Sequence, residues 1–144
     1  KFPTIEIRIC DIPLTVDETI TIAALIQALV AKLVKLRQSN MNYMSYKRSL
    51  ITENKWRASR YGIEGKLIDF GREAELPMAE LIAEFVDFVD DVVDDLDSRE
   101  EVENVFNILK NGTGADRQLK VFEETGDVKD VVDYIIAETS KGLY

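Results

Sequence analysis

Apolar side chains recur at helical spacing along most of this chain, and the stripes are bounded by residues that begin or end helices. Thr15 and Glu18 form a capping box ahead of the first stripe. Gly62, Gly112 and Gly126 stand where three of the stripes stop, as expected for C-terminal caps. The predicted helices span residues 16–37, 45–61, 78–96, 99–110, 114–124 and 128–139. The sequence therefore predicts a mainly α fold with one or two short strands.

Several of these helices carry more specific expectations. The first lacks a continuous polar face, which predicts a central helix buried on several sides. Its most apolar run, residues 20–31, is shorter than the ~20 residues needed to span a bilayer. Ser98 and Glu101 form a second capping box, and we expect Leu119 and Phe122 to point inward. Short helices joined by tight glycine turns are typical of a helical bundle. Residues 66–70 are predicted to form either a short strand or an extended loop.

The start of the chain has a different pattern, because β-branched and charged residues alternate there. This alternation predicts a strand over residues 4–10, with Glu6 and Arg8 on one face and three isoleucines on the other. One interpretation is a solvated strand face with a weak pair of charges. The other is a site for a metal-bound nucleotide phosphate, since a carboxylate is a hard ligand for Mg²⁺ and a guanidinium binds phosphate.

Charge and cysteine content restrict the partners and the compartment. The 144 residues have a formal net charge of −9, which argues against nucleic acid and against anionic membrane surfaces as partners. Histidine is missing from the sequence, which removes histidine-based triads and metal sites from consideration. Cys10 is the one cysteine, so no intrachain disulfide forms, and we interpret it as a buried, inert thiol. We therefore expect a single unit, residues 1–144, in the cytoplasm.

The second predicted helix offers two interpretations of its polar residues. Glu53, Arg57 and Arg60 recur at helical spacing and share one face. They form either a salt-bridged exposed face, with Trp56 anchored in the core, or a polar wall that binds phosphate or a substrate carboxylate. In the second case Asn54 and Arg57 are the strongest candidates for ligand binding.

The predicted helix 78–96 carries a dense acidic face opposite its apolar stripe. Its carboxylates are Glu80, Glu84, Asp87, Asp90, Asp91, Asp94 and Asp95. These residues spread along a helix without the loop pattern or glycine turn of an EF-hand. We interpret them as a solvated acidic face rather than a metal site.

Four separated motifs resemble one enzyme family in the correct order. They are TIEIRICDIPLT at residues 4–15, ENKWRASRYG at 53–62, KLID at 66–69 and GTGADRQ at 112–118. Together they resemble the C-terminal part of the carboxylate–amine ligases, the type 2 glutamate–cysteine ligase-like branch of the glutamine synthetase-like superfamily. The resemblance implies that the chain is the C-terminal helical portion of an α+β glutamine synthetase-like fold and belongs to a longer protein.

The resemblance also implies a reaction and roles for individual residues. ATP phosphorylates a glutamate side-chain carboxylate, and the amine of cysteine, or another amine, then displaces phosphate to form an amide. Glu6 is expected to ligate Mg²⁺, and Arg8 is expected to act in catalysis by contacting the transferring phosphate of ATP. Asn54 and Arg57 are expected to bind the nucleotide, and Arg117 with Gln118 to hold the helices to the catalytic sheet. One metal ligand and one arginine do not complete such a site, so we expect residues 1–144 to be inactive alone.

A non-catalytic alternative remains open. The chain can be a helical interaction module in which the isoleucine-bearing strand pairs with another chain, because a single strand cannot satisfy its own backbone groups. Both interpretations predict a homo-oligomer, since an exposed strand edge favours association.

Overall fold

The computed structural model describes residues 3–141, and within them the chain is mainly helical with a two-stranded sheet. The elements are α1 (Val16–Gln38), α2 (Arg48–Tyr61), β1 (Lys66–Asp69), β2 (Ala74–Pro77), α3 (Met78–Val93), α4 (Arg99–Glu103), α5 (Val105–Asn111), α6 (Gly114–Thr125) and α7 (Val128–Thr139). The prediction of a mainly α chain with one or two short strands is confirmed for these residues.

Helix α1 is the central element, as predicted, because it packs against α3, α4 and α5. Its capping box forms: the Thr15 hydroxyl accepts from the Glu18 N–H, and the Glu18 carboxylate accepts from the Thr15 N–H. Small side chains on the inner face let α3 approach closely, and the buried core consists of Ala24, Ala28, Val89, Val92, Val93 and Val102. The prediction of burial on several sides is wrong, because Ile20 and Val34 on the outer face are exposed.

Among the described residues, α1 is the one helix that is long enough and apolar enough to cross a membrane, judged by length and composition alone. Such a test is also passed by core helices of soluble proteins, and α1 places Ala24 and Ala28 in the core. The expectation that the chain has no membrane partner stays a prediction.

A β-hairpin precedes α3. Strands β1 and β2 pair antiparallel with Leu67 opposite Leu76. The Asp69 carboxylate accepts from the N–H groups of Gly71 and Arg72 at 2.8 and 2.9 Å, which shapes the connecting loop. The pattern of residues 66–70 left a strand or a loop open, and β2 was not predicted, although residues 74–77 alternate between half-buried and exposed side chains.

The predicted strand over residues 4–10 is wrong for this structure. The segment from 4 to 13 has no strand, and within residues 3–141 its backbone makes no hydrogen bond to another backbone group. A strand needs a neighbouring strand to pair its backbone groups, and none of the described residues forms a strand beside residues 4–10. Ile5 and Ile9 are therefore 67% and 65% exposed. Cys10 is exposed as well, so the predicted buried thiol is also wrong.

Two local predictions about the C-terminal helices fail for tertiary reasons. The predicted helix 99–110 is divided at Asn104, which ends α4 and begins α5. Ser98 precedes α4 but its side chain does not cap the helix. Leu119 and Phe122 are exposed, because α6 packs chiefly against α7 and this contact only half-buries residues of α6.

Ion pairs join α1 to the acidic helix α3. Lys32 and Lys35 of α1 contact the two carboxylate oxygens of Asp91 at 2.7 and 2.8 Å. The hydrogen bond from Lys32, followed by that from Lys35, lowers the pKa of Asp91 to about 2, against the desolvation that raises it. The acidic face of α3 is therefore partly paired, as Arg72 also contacts Glu84 and Arg99 contacts Asp90.

The Asp91 pairing predicts a pH-dependent contribution to stability. A carboxylate whose folded pKa is depressed stabilises the fold above its unfolded pKa, near 4, and loses that contribution as the pH falls toward 2. We expect Asp91→Asn to be less stable than the parent at pH 6 and the difference to shrink between pH 4 and pH 2, as measured by urea unfolding. Asp87→Asn on the same helix is the control, because the structure shows no ion pair for Asp87 within residues 3–141. An Asp91→Asn deficit that stays constant down to pH 2 contradicts the assignment.

Candidate functional site

The two residues predicted to serve the metal and the phosphate do lie together. The Arg8 guanidinium contacts the Glu6 carboxylate at 2.9 Å, and their side chains are 81% and 70% exposed. They stand two positions apart in the sequence, and their contact places the two side chains on the same side of the segment. A pair this exposed contributes little to stability. Because both side chains are exposed, their charges remain accessible to other groups.

Glu6 fits magnesium as a single ligand. Mg²⁺ requires near-octahedral oxygen coordination and is bound through carboxylates, waters and substrate phosphates. Among residues 3–141, no group of three acidic, cysteine or histidine side chains gathers in a way that could hold a metal ion. The described part of the chain therefore does not form a metal site by itself, and metal binding by Glu6 stays a prediction.

Asn54, predicted to bind nucleotide, is occupied by the hairpin. Its amide nitrogen donates to the Ile68 carbonyl at 2.9 Å, and its amide oxygen accepts from the Ile68 N–H at 2.8 Å. The side chain thus satisfies the outward-facing backbone groups of β1 as a neighbouring strand would. In this structure Asn54 ties α2 to the sheet.

Arg57 is likewise engaged by protein groups. Its guanidinium contacts Glu53 at 2.9 Å and Glu75 at 2.8 Å. The hydrogen bond that Arg57 donates to Glu53, followed by the one that it donates to Glu75, raises the pKa of Arg57 above its ordinary value. Trp56, beside it, is 53% exposed and packs edge-on against Tyr61, so its predicted place in the core is wrong. The salt-bridged interpretation of this helix face holds for Glu53 and Arg57.

The predicted site residues form two separate sets. Within residues 3–141, no hydrogen bond or ion pair joins Glu6 or Arg8 to Asn54 or Arg57. Glu6 and Arg8 lie on the segment that precedes α1, whereas Asn54 and Arg57 contact the hairpin. The structure therefore does not assemble the four residues into one site.

A polar centre that was not predicted from the sequence links the N-terminus of α1 to the C-terminal helices. The Glu18 carboxylate, which caps α1, also contacts the Arg117 guanidinium at 2.7 Å. Arg117 donates further to the Gly112 carbonyl at 2.8 Å and to the Tyr134 hydroxyl at 3.2 Å. Burial lowers the pKa of Arg117, but the contacts with Glu18 and Tyr134 outweigh it and raise the pKa. The capping box pointed to Glu18, and the GTGADRQ motif contains Arg117, but neither pattern showed that they meet.

A cleft between α1 and α4 does not suit nucleotide phosphates. It measures about 260 Å³ and is lined by Asp17, Ile20, Thr21, Glu100, Glu101 and Asn104. Thr21 and Asn104 are joined there by a hydrogen bond of 2.8 Å. Three carboxylates give the cleft a negative field that repels an anionic ligand.

Comparison with known proteins identifies the relatives of this chain. The sequence model of glutamate–cysteine ligase family 2 matches residues 1–134. Relatives provisionally named glutamate–cysteine ligase 2 include proteins from Solibacter usitatus and Herpetosiphon aurantiacus, which are 57% and 56% identical over 99% of this chain. A Chloroflexus aurantiacus relative of the same name is 51% identical over 99% of the chain. The chain spans about 37% of the length of the first two and 36% of the third. No solved structure matches it.

The Asn54 contacts predict a stability role that can be measured without any ligand. Asn54→Ala removes both hydrogen bonds to Ile68, and we expect a loss of about 1–2 kcal/mol in the free energy of unfolding. Asn107→Ala is the matched control, because its exposed hydrogen bond to Asn104 should be worth less than about 0.5 kcal/mol. Equal stabilities for the two variants in urea unfolding would show that Asn54 does not hold the hairpin.

Proposed function

This chain belongs to glutamate–cysteine ligase family 2, and we propose that it forms part of an ATP- and Mg²⁺-dependent ligase. The substrates we propose are glutamate and an amine, with cysteine as the first candidate. The family match and the shared names of the relatives support a ligase. The proposed fold of the complete enzyme is glutamine synthetase-like, to which this chain contributes helices and an extended segment.

The proposed reaction has two steps. An oxygen of the glutamate side-chain carboxylate attacks the γ-phosphorus of ATP, so that ADP leaves and an acyl phosphate forms. The amine nitrogen then attacks the acyl carbon, phosphate leaves, an amide bond forms and the amine loses a proton. Bound Mg²⁺ would neutralise charge on the phosphates, which is the main requirement of phosphoryl transfer.

Glu6 and Arg8 are the residues that we propose for this chemistry. Glu6 would supply one oxygen ligand to Mg²⁺, and Arg8 would donate to the transferring phosphate. The observation that carries this assignment is their adjacency, at 2.9 Å, on a segment whose backbone forms no hydrogen bond to another backbone group within residues 3–141. Such a segment can join a sheet and then presents both side chains on one of its faces.

Nucleotide binding by Asn54 and Arg57 stays a prediction. Both side chains have protein partners, so binding would require Asn54 to release Ile68 or Arg57 to exchange a carboxylate for phosphate. An exchange at Arg57 is chemically plausible because guanidinium binds carboxylate and phosphate in the same fork geometry. A cytoplasmic location likewise stays a prediction.

The role of Glu6 can be tested in an intact relative. We would replace the matching region of the Solibacter usitatus protein with this chain and measure amide formation and ADP release from ATP, glutamate and cysteine. We expect Glu6→Gln to lower kcat by about 10²-fold or more, because the variant loses a charged metal ligand. Asp11→Asn, which removes a carboxylate from the same segment, should retain activity. An active Glu6→Gln chimera would refute the assigned role.

The exposed isoleucines favour a second candidate, an interaction module that oligomerises through residues 4–10. Ile5, Ile7 and Ile9 are exposed on backbone that has no strand partner among the described residues. Strand addition would bury them and satisfy the backbone. This candidate predicts a dimer or larger species by sedimentation, converted to monomer by Ile7→Lys but not by Val128→Lys. A monomer at all concentrations would contradict it.

A further inference from the structure

We propose that Arg117 is a positioning residue for the segment that carries Glu6 and Arg8, and that it acts through Glu18. This inference rests on the proposed function, because it assumes that the segment contributes to the active site. The contacts run from the C-terminal helices, through an ion pair whose arginine and glutamate side chains are 20% and 12% exposed, to the backbone where the segment meets α1.

Arg117 is held rigidly enough to transmit a position. Its guanidinium makes three separate contacts: with the Glu18 carboxylate at 2.7 Å, the Gly112 carbonyl at 2.8 Å and the Tyr134 hydroxyl at 3.2 Å. The last two contacts come from the turn before α6 and from α7. Because the guanidinium is planar, these contacts fix its orientation as well as its place.

Glu18 passes this constraint to the backbone. One carboxylate oxygen contacts Arg117, and the other accepts from the N–H groups of Leu14 and Thr15 at 3.2 and 3.3 Å. These two residues are the junction between the segment and α1. The carboxylate therefore fixes the direction in which residues 4–13 leave the helix.

A packing contact reinforces the ion pair at the same junction. Leu14 is buried, and a Cβ atom added at Gly114 would lie 3.0 Å from the Leu14 Cγ. The first turn of α6 thus contacts the junction through Gly114 and again through Arg117. Within residues 3–141 the segment from 4 to 13 makes no backbone hydrogen bond to the rest of the chain, so its direction is set at this junction.

The first experiment measures this coupling on the chain itself, without any ligand. Arg117→Gln is expected to reduce hydrogen-exchange protection of the Leu14 and Thr15 amides by about tenfold, while the Ala28 amide inside α1 is unchanged. Arg99→Gln is the control, since it removes an arginine that pairs with Asp90 and Asp94 rather than with Glu18. Should Arg117→Gln fail to fold, Arg117→Lys, which keeps the charge but not the fork, should show a smaller loss at the same two amides.

The second experiment measures the consequence for the reaction in the Solibacter usitatus chimera. We expect Arg117→Gln to lower kcat by about tenfold or more and to raise the Mg²⁺ concentration required, since small displacements of reacting groups are costly. The KM for cysteine should not change, and Arg117→Lys should recover part of kcat. Arg99→Gln should leave all three quantities unchanged.

The outcomes separate this inference from the proposed function. Equal loss of protection at Leu14, Thr15 and Ala28 would indicate general destabilisation and overturn the positioning role. An active chimera whose kcat is insensitive to Arg117→Gln would also overturn it, while the ligase function stands. A parent chimera that makes no amide, with the exchange pattern as expected, would overturn the proposed function and leave the coupling of Arg117 to the segment supported.

Discussion

The contact between Glu18 and Arg117 is the constraint on which the arrangement of the two ends of the chain depends. It joins the first turn of α1 to the first turn of α6, and Tyr134, which also contacts Arg117, extends the connection to α7. A buried ion pair stabilises a fold only when its remaining hydrogen-bonding groups are satisfied. Here the Gly112 carbonyl accepts from Arg117 and the backbone N–H of Leu14 donates to Glu18, which meets part of this requirement on each side of the pair.

The rest of the fold is stabilised by close packing with charge at its edges. Ala24 and Ala28 let α1 approach α3, and valines from α3 and α4 fill the space between them. The acidic residues at the C-terminal end of α3 oppose the helix dipole. Cations from neighbouring elements offset this unfavourable interaction, since Lys32 and Lys35 pair with Asp91. Arg99 pairs with Asp94 and Asp90, and the hydrogen bonds that it donates to them raise its pKa. The acidic face is therefore part of the helix packing as well as a solvated surface.

Local features of the candidate site were predictable, and long-range features were not. The alternation of residues 4–10 predicted that Glu6 and Arg8 share one side, and their 2.9 Å contact agrees, although no strand forms. Asn54 and Arg57 were predicted on one helix, but the sequence did not indicate that Ile68 and Glu75 would engage them. These contacts join α2 to hairpin residues that lie 14 and 18 positions further along the chain. The second strand of that hairpin has only a weak sequence pattern.

The sequence by itself determined most of the helices, the cap at Thr15 and the family, because caps and stripes act within a few residues along the chain. The tertiary structure alone decided which apolar faces are covered, as the exposure of Ile9 and Leu119 shows. It also decided that Glu18 meets Arg117, 99 residues later. A stripe marks a surface that favours burial, but burial requires a second surface, and its identity depends on how distant elements pack.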